Sequence, residues 1–340
     1  MERTAVGVVG CGFFAQNHLH AWTDLASKGV DIVGVCDIDE AKARATADKF
    51  GIKRWYTDLE TMVREQQLDL VDIVTRVETH RDVVGQAIHH RIPTIVQKPF
   101  GPDLAACRAM ADEAKKVGIF LAVHENFRFQ VPMRRIAEIL RAGTIGTPSW
   151  GRVSFRTGYD IYKGQPYLAK EERFVLIDLG VHVLDLARVM LGEVEQLSAE
   201  LQRRNPNVRG EDTATMLLKH TSGAVSVVEC TYESRRLPDV FPETLLEIEG
   251  PKGAIALKPG SVLEVTVEGK TTTYDVDAPV LRWAERPWHI IQESVLATCD
   301  HMLQALRAGR PADTSAADNV RTTAGLVEAA YEAGSSGRAR

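Results

Sequence analysis

The stretch Ala5-Val6-Gly7-Val8-Val9-Gly10-Cys11-Gly12-Phe13-Phe14-Ala15-Gln16-Asn17-His18-Leu19-His20-Ala21-Trp22 reads as a strand, a glycine turn and a helix. It is the pattern of a dinucleotide-binding βα unit. Gly10 permits the tight turn, Gly12 lets backbone approach a pyrophosphate, and Ala15 lets helix and strand pack closely. The phosphates would sit at the positive end of the helix, with Phe13 and Phe14 at the turn beside them. The next strand, Ile32-Val33-Gly34-Val35-Cys36, ends at Asp37, about twenty residues beyond the turn, where an acid accepts hydrogen bonds from an adenosine ribose. A carboxylate there repels a 2′-phosphate, and Ile38-Asp39-Glu40 offers no arginine to receive one. The expected cofactor is NAD. Asp39, rather than Asp37, is the natural cap of the following helix.

Composition bounds the rest. The 340 residues are 44% hydrophobic and 26% charged with a net charge of −5, enough for two domains and no basis for a nucleic-acid surface. Five cysteines stand without CxxC spacing, which points to a reducing, cytoplasmic setting rather than to disulfides or zinc. The histidines are scattered over different elements, so no metal is expected. No apolar run approaches the length of a membrane span.

Through residue 124, short apolar runs ending at Val9, Cys36, Tyr56, Thr75, Gln97 and Val123 alternate with helical periodicity, the order of a parallel sheet with crossover helices. One such helix is expected over 81–91 with Thr79 as its cap. Ligands of open α/β sheets bind beyond the carboxyl ends of the strands, which gathers Asp37, Thr75, His80, Gln97 and Lys98 near one cleft. From residue 125 onward, alternation as in Val262-Leu263-Glu264-Val265-Thr266-Val267 and turns at Ser222-Gly223 and Pro259-Gly260 predict a large, mostly antiparallel sheet. Helices over 180–190, 290–307 and 316–333 are expected to cover one face of it. The two domains are therefore placed at 1–124 and 125–340, a doubly wound sheet followed by an α/β domain.

Two constellations bear on chemistry. Thr94-Ile95-Val96-Gln97-Lys98-Pro99-Phe100 sets a lysine just past a buried strand, where its ammonium can stabilise an alkoxide or relay a proton; a solvated strand-end lysine is the alternative. Asp178 and His182 stand one helical turn apart and can face one cleft; a capping Asp followed by a packed His is the alternative. Substrate contacts are expected from Asn126 and Arg128 and from the polar, aromatic loop containing Arg156, Tyr159, Tyr162 and Lys163, with Trp283, Trp288 and His289 as further candidates.

Taken together, Gly10 to Ala15, Asp37, the stretch from Val71 to His80, Gln97-Lys98-Pro99, Asn126-Phe127-Arg128-Phe129, Asp178-x-x-x-His182 and the closing Gly309-Arg310-Pro311 resemble the Gfo/Idh/MocA group of oxidoreductases. The resemblance covers nearly the whole chain. It implies NAD as cofactor, Lys98, Asp178 and His182 as the catalytic group, a carbohydrate or polyol substrate, and a homodimer or homotetramer formed through the second domain's sheet. Within the group the motifs look most like those of aldose 1-dehydrogenases, which implies oxidation of aldose C1 to a lactone, D-apiose being a candidate. The group's usual glutamate before the lysine is Gln97 here, which removes a negative charge beside Lys98. Either Lys98 or His182 can serve as the base. Two rivals remain: a relative that uses transient oxidation to cleave glycosidic bonds, and a non-catalytic NAD-binding regulator, which would not need to retain Lys98 and His182.

Overall fold

The computed structural model describes residues 3–336. Two compact units emerge, one built from the chain up to Asn126 together with Val295–Ala324, the other from Phe127–Ser294 together with the chain from Gly325 onward.

In the first unit six parallel strands, β1 (Thr4–Val9), β2 (Val30–Cys36), β3 (Trp55–Tyr56), β4 (Leu70–Ile73), β5 (Thr94–Gln97) and β6 (Leu121–His124), lie in the order β3-β2-β1-β4-β5-β6. Five helices make the crossovers: α1 (Ala15–Asp24), α2 (Glu40–Phe50), α3 (Leu59–Glu65), α4 (Val77–His89) and α5 (Leu104–Val117). Asp39, Asp58 and Asp103 cap α2, α3 and α5 by accepting the backbone N–H groups of Lys42, Thr61 and Ala106, as N-cap chemistry predicts. Strand order reverses between β1 and β4, so the switch point falls beside the glycine turn. α4 starts earlier than the expected 81: the chain leaves β4 at Ile73 and is helical from Val77. Thr79 therefore sits inside the first turn, where its hydroxyl donates to the Arg76 carbonyl instead of capping.

The second unit holds α6 (Val131–Arg141) and an eight-stranded sheet. Its strands are β7 (Trp150–Arg156), β8 (Val194–Gln202), β9 (Thr213–His220), β10 (Val225–Thr231), β11 (Leu245–Gly250), β12 (Gly253–Lys258), β13 (Val262–Val267) and β14 (Lys270–Asp275). The order is β14-β13-β12-β11-β7-β10-β9-β8, with only β7 and β10 parallel. Period-two alternation assigns the two faces. Val153, Phe155, Val228, Cys230, Met216 and Leu218 are buried, and Gly151 packs so close to Leu191 at the end of α7 (Val181–Leu191) that a Cβ there would lie 2.8 Å from Leu191 Cδ1. The opposite face carries Arg152, Glu229 and Leu217, the last 52% exposed.

By contact, the segment Val295–Ala324 groups with the first unit rather than with the residues around it in sequence. α8 (His289–Arg307) begins in the second unit, but Val295, Cys299, Met302 and Leu303 share one core with Val6, Val8, Leu19 and Trp22 of the first. Those four sit three and four apart, so one helix stripe covers the parallel sheet. Ser315 then bridges to Ala122 of β6 and caps α9 (Ala316–Asn319). The helix expected over 316–333 is interrupted by a wider, π-type turn at Val320–Ala324, and only α10 (Gly325–Ser336) returns to the second unit, against β8.

Candidate active site

The glycine turn of the first unit is built to admit a phosphate. Gly10 has φ +101°, and a Cβ there would come 2.4 Å from the Val74 carbonyl oxygen; no other residue fits. A Cβ on Gly12 would instead project into open space. α1 starts without a side-chain cap and without an acid in its first turn, so its positive end is left for an anion. Phe13 is 71% exposed on the turn, while Phe14 packs on the core and meets the His18 ring edge-on. Asp37 links the parts: its Oδ2 accepts the Cys11 N–H at 2.8 Å and its Oδ1 the Asp39 N–H at 2.9 Å. The carboxylate is thereby aimed beside the turn, with lone pairs left for ribose hydroxyls. These residues fit a dinucleotide.

Two other expected cofactor residues have partners within the first unit. Thr75 Oγ1 lies 2.8 Å from the Thr79 hydroxyl oxygen. His80 is 1% exposed, and its Nδ1 and Nε2 each lie 3.2 Å from a carbonyl, of Phe100 and Thr75. Burial lowers its pKa, and the ring sits between the loop after β4 and the turn after β5. Beyond β5, the Lys98 N–H donates to Gln97 Oε1 at 2.6 Å, which places Lys98 at the carboxyl end of the sheet, on the side of the glycine turn.

In the second unit the π-type turn Leu176–Gly180 delivers Asp178 into α7, which carries His182. Asp178 Oδ2 accepts the Tyr232 hydroxyl at 2.7 Å. Burial, with Asp178 adding to it, pushes the Tyr232 pKa well up, so this phenol stays a donor and holds the carboxylate from behind. The His182 ring lies on the Phe127 ring, centroids 3.7 Å apart and 5° from parallel, which fixes its plane.

The expected substrate residues do not all converge. Arg128 forms a two-pronged pair with buried Asp185 of α7, Nε to Oδ2 at 2.8 Å and Nη2 to Oδ1. Arg156 lies on the face of the sheet away from α7, because alternation along β7 groups it with Arg152 and Ser154; its Nη1 donates to Glu229 at 2.9 Å. Burial alone would raise the Glu229 pKa, but Arg152 and Arg156 hold it below the usual range. Tyr159 stacks on Phe241 with centroids 3.9 Å apart, and Trp288 meets Phe241 edge-on. Tyr162 turns to Glu233, Lys163 pairs with Asp160, and His289 pairs with Asp277. Asn126 is buried at the end of the first unit's continuous segment.

Comparison with known proteins agrees with both units. Residues 4–125 match the oxidoreductase family model with an NAD-binding Rossmann fold, and residues 133–256 match the GFO/IDH/MocA C-terminal domain. The chain belongs to the Gfo/Idh/MocA family of oxidoreductases. It is 47% identical to a D-apiose dehydrogenase of Rhizobium rhizogenes, over 97% of this chain and 95% of that one. It is 45% identical to a D-apiose dehydrogenase of Paraburkholderia graminis, over 99% and 89%. A solved oxidoreductase of Agrobacterium radiobacter, crystallised with NAD+, L-tartaric acid and magnesium, superposes with a TM-score of 0.96 at 46% identity, covering 99% of this chain and 97% of that one.

This Gfo/Idh/MocA oxidoreductase uses NAD. The partners that sequence reasoning missed are Tyr232 and Phe127, which meet Asp178 and His182 only through tertiary packing; the one sequence signal was Phe127 inside the Asn126-Phe127-Arg128-Phe129 motif. His18, His124 and Cys299 bring ligand-capable atoms within 4.8 Å of one another in the first unit. Both nitrogens of His18 already have partners, Asp72 and Gln97, so that cluster is part of a hydrogen-bonded core. All five cysteines are free thiols, and no helix among the described residues is long and apolar enough to cross a membrane.

Proposed function

We propose that this oxidoreductase is an aldose 1-dehydrogenase that converts D-apiose to its lactone. The observation that carries the proposal is the identity of 47% and 45% to two D-apiose dehydrogenases along nearly the whole chain. The cofactor is held by Gly10, Gly12, Phe13, Asp37, Thr75 and Gln97, with Asp37 selecting NAD over NADP. When bound, NAD supplies the hydride acceptor. Lys98 holds the developing alkoxide by its positive charge, His182 takes the hydroxyl proton, and Asp178, braced by Tyr232, orients sugar hydroxyls or the imidazole. Phe127 keeps the imidazole from turning away from that proton. The tyrosine-rich loop with Tyr159 contacts the sugar, since an aromatic face suits its C–H groups.

The exposed apolar Leu217 and its cross-strand neighbour Val227 on the second unit's sheet favour self-association through that face, as a homodimer or homotetramer. Five buried thiols suit a reducing cytoplasm. A panel of D-apiose, other aldoses and inositols with NAD, read by NADH absorbance, tests the assignment. Turnover on D-apiose with lactone as product is the expected result. Activity confined to inositols, or glycosidic cleavage without net NADH, would exclude it.

A further inference from the structure

One carboxyl of the first unit has no task in the chemistry described so far. Asp72 sits in β4, fully buried, where a charge is costly unless well paired. Its Oδ2 accepts from Trp22 Nε1 at 2.7 Å and meets His18 Nδ1 at 2.8 Å, while Oδ1 has no hydrogen-bond partner. Removing the carboxyl would leave the buried Trp22 and His18 N–H groups without their acceptor. From Asp72 a line of contacts leads to the end of β5: His18 Nε2 is 3.2 Å from Gln97 Nε2, and Gln97 Oε1 accepts the Lys98 N–H at 2.6 Å.

Every proton along this line has a determined place. A backbone N–H only donates, so the Gln97 atom facing it is the oxygen. The Gln97 amide nitrogen therefore faces His18, and His18 Nε2 must accept. The imidazole then carries its proton on Nδ1, where Asp72 receives it. Other groups facing His18 are His124 from β6, with ring centroids 4.1 Å apart, the Cys299 thiol from α8 and the Phe14 ring. Of the groups named around this ring, Asp72 is the carboxylate.

We propose that His18 and Gln97 are positioning residues for Lys98, and that Asp72 selects the His18 tautomer that allows it. The line of contacts orients the Gln97 amide, and that amide holds the main chain at the residue whose ammonium serves the reaction. The proposal rests on Lys98 being the catalytic lysine.

A glutamate at position 97 exposes the device. Its two oxygens only accept: one takes the Lys98 N–H, and His18 can donate to the other while still donating to Asp72 only as imidazolium. Gln97→Glu should therefore give a kcat that falls about tenfold to a hundredfold from acid to alkaline pH. The wild-type profile should lack that limb. In the double variant His18→Gln with Gln97→Glu, an amide donates at any pH, and the limb should vanish. Asp72→Leu should lower kcat while the NAD Kd, measured by calorimetry, stays within about twofold; should that variant not fold, the two glutamate variants still decide. A Gln97→Glu profile superimposable on wild type would overturn the proposal. If Lys98→Met keeps near-normal turnover, the catalytic assignment fails and the proposal with it. If Lys98→Met abolishes turnover while Gln97→Glu behaves as wild type, only the positioning role fails.

Discussion

The two units present their functional side chains in different ways. In the first, the proposed cofactor residues are neighbours in sequence or lie at the ends of adjacent strands, and they are held by backbone: Gly10 by its dihedral angle, Asp37 by the N–H groups of Cys11 and Asp39. In the second, Asp178 and His182 share one short segment, yet each depends on a side chain from a distant stretch, Tyr232 for the carboxylate and Phe127 for the ring. A local motif can therefore announce the first arrangement completely. It announces only half of the second.

The sharpest way to break that contrast is to remove the charge at the end of β5. Lys98→Met should lower kcat by about a thousandfold or more, since charge stabilisation and proton handling both go, while NAD affinity by calorimetry stays within about twofold. A parallel loss of NAD affinity would make Lys98 a cofactor ligand instead. His182→Ala should cost kcat about a hundredfold to a thousandfold with little change in NAD affinity. If KM alone moved, the ring would belong to binding. Asp37→Ser should raise the KM for NAD about tenfold and narrow the preference over NADP, and an unchanged cofactor ratio would remove the ribose role.

The legibility of the molecule follows the same division. Six parallel strands were readable because each is a short apolar run between turn signals, and the switch point came with them. Lost was the return of α8, since an amphipathic stripe such as Val295, Cys299, Met302 and Leu303 records that it is buried but not against which sheet. Arg156 and Arg128 drew attention as charges near a motif. Period-two alternation turns Arg156 to the far face, and Asp185, 57 residues along the chain, occupies Arg128. His80 lies near a strand end in the sequence, and only the fold supplies the two carbonyls beside its ring.

Tyr232 gives the smallest effect and the most specific check on the second unit. Tyr232→Phe removes the donor to Asp178 and nothing of the ring, so kcat should fall only several-fold, with about 1 kcal/mol of stability lost with the hydrogen bond. The pH dependence separates this role from mere packing. Burial raises the folded pKa of Tyr232 above its ordinary value of 10, and it does the same for Tyr162 and Tyr331 in the same unit. A group whose folded pKa is raised contributes stability in full below the unfolded value and loses it as pH climbs toward the folded value. The melting temperature should accordingly hold steady below about pH 10 and drop steeply above it. In Tyr232→Phe one of the three phenols is gone, so the alkaline drop should be shallower. An equal slope in the two proteins would mean that Tyr232 ionises as readily in the fold as in the open chain, and Asp178 would then lose its permanent donor.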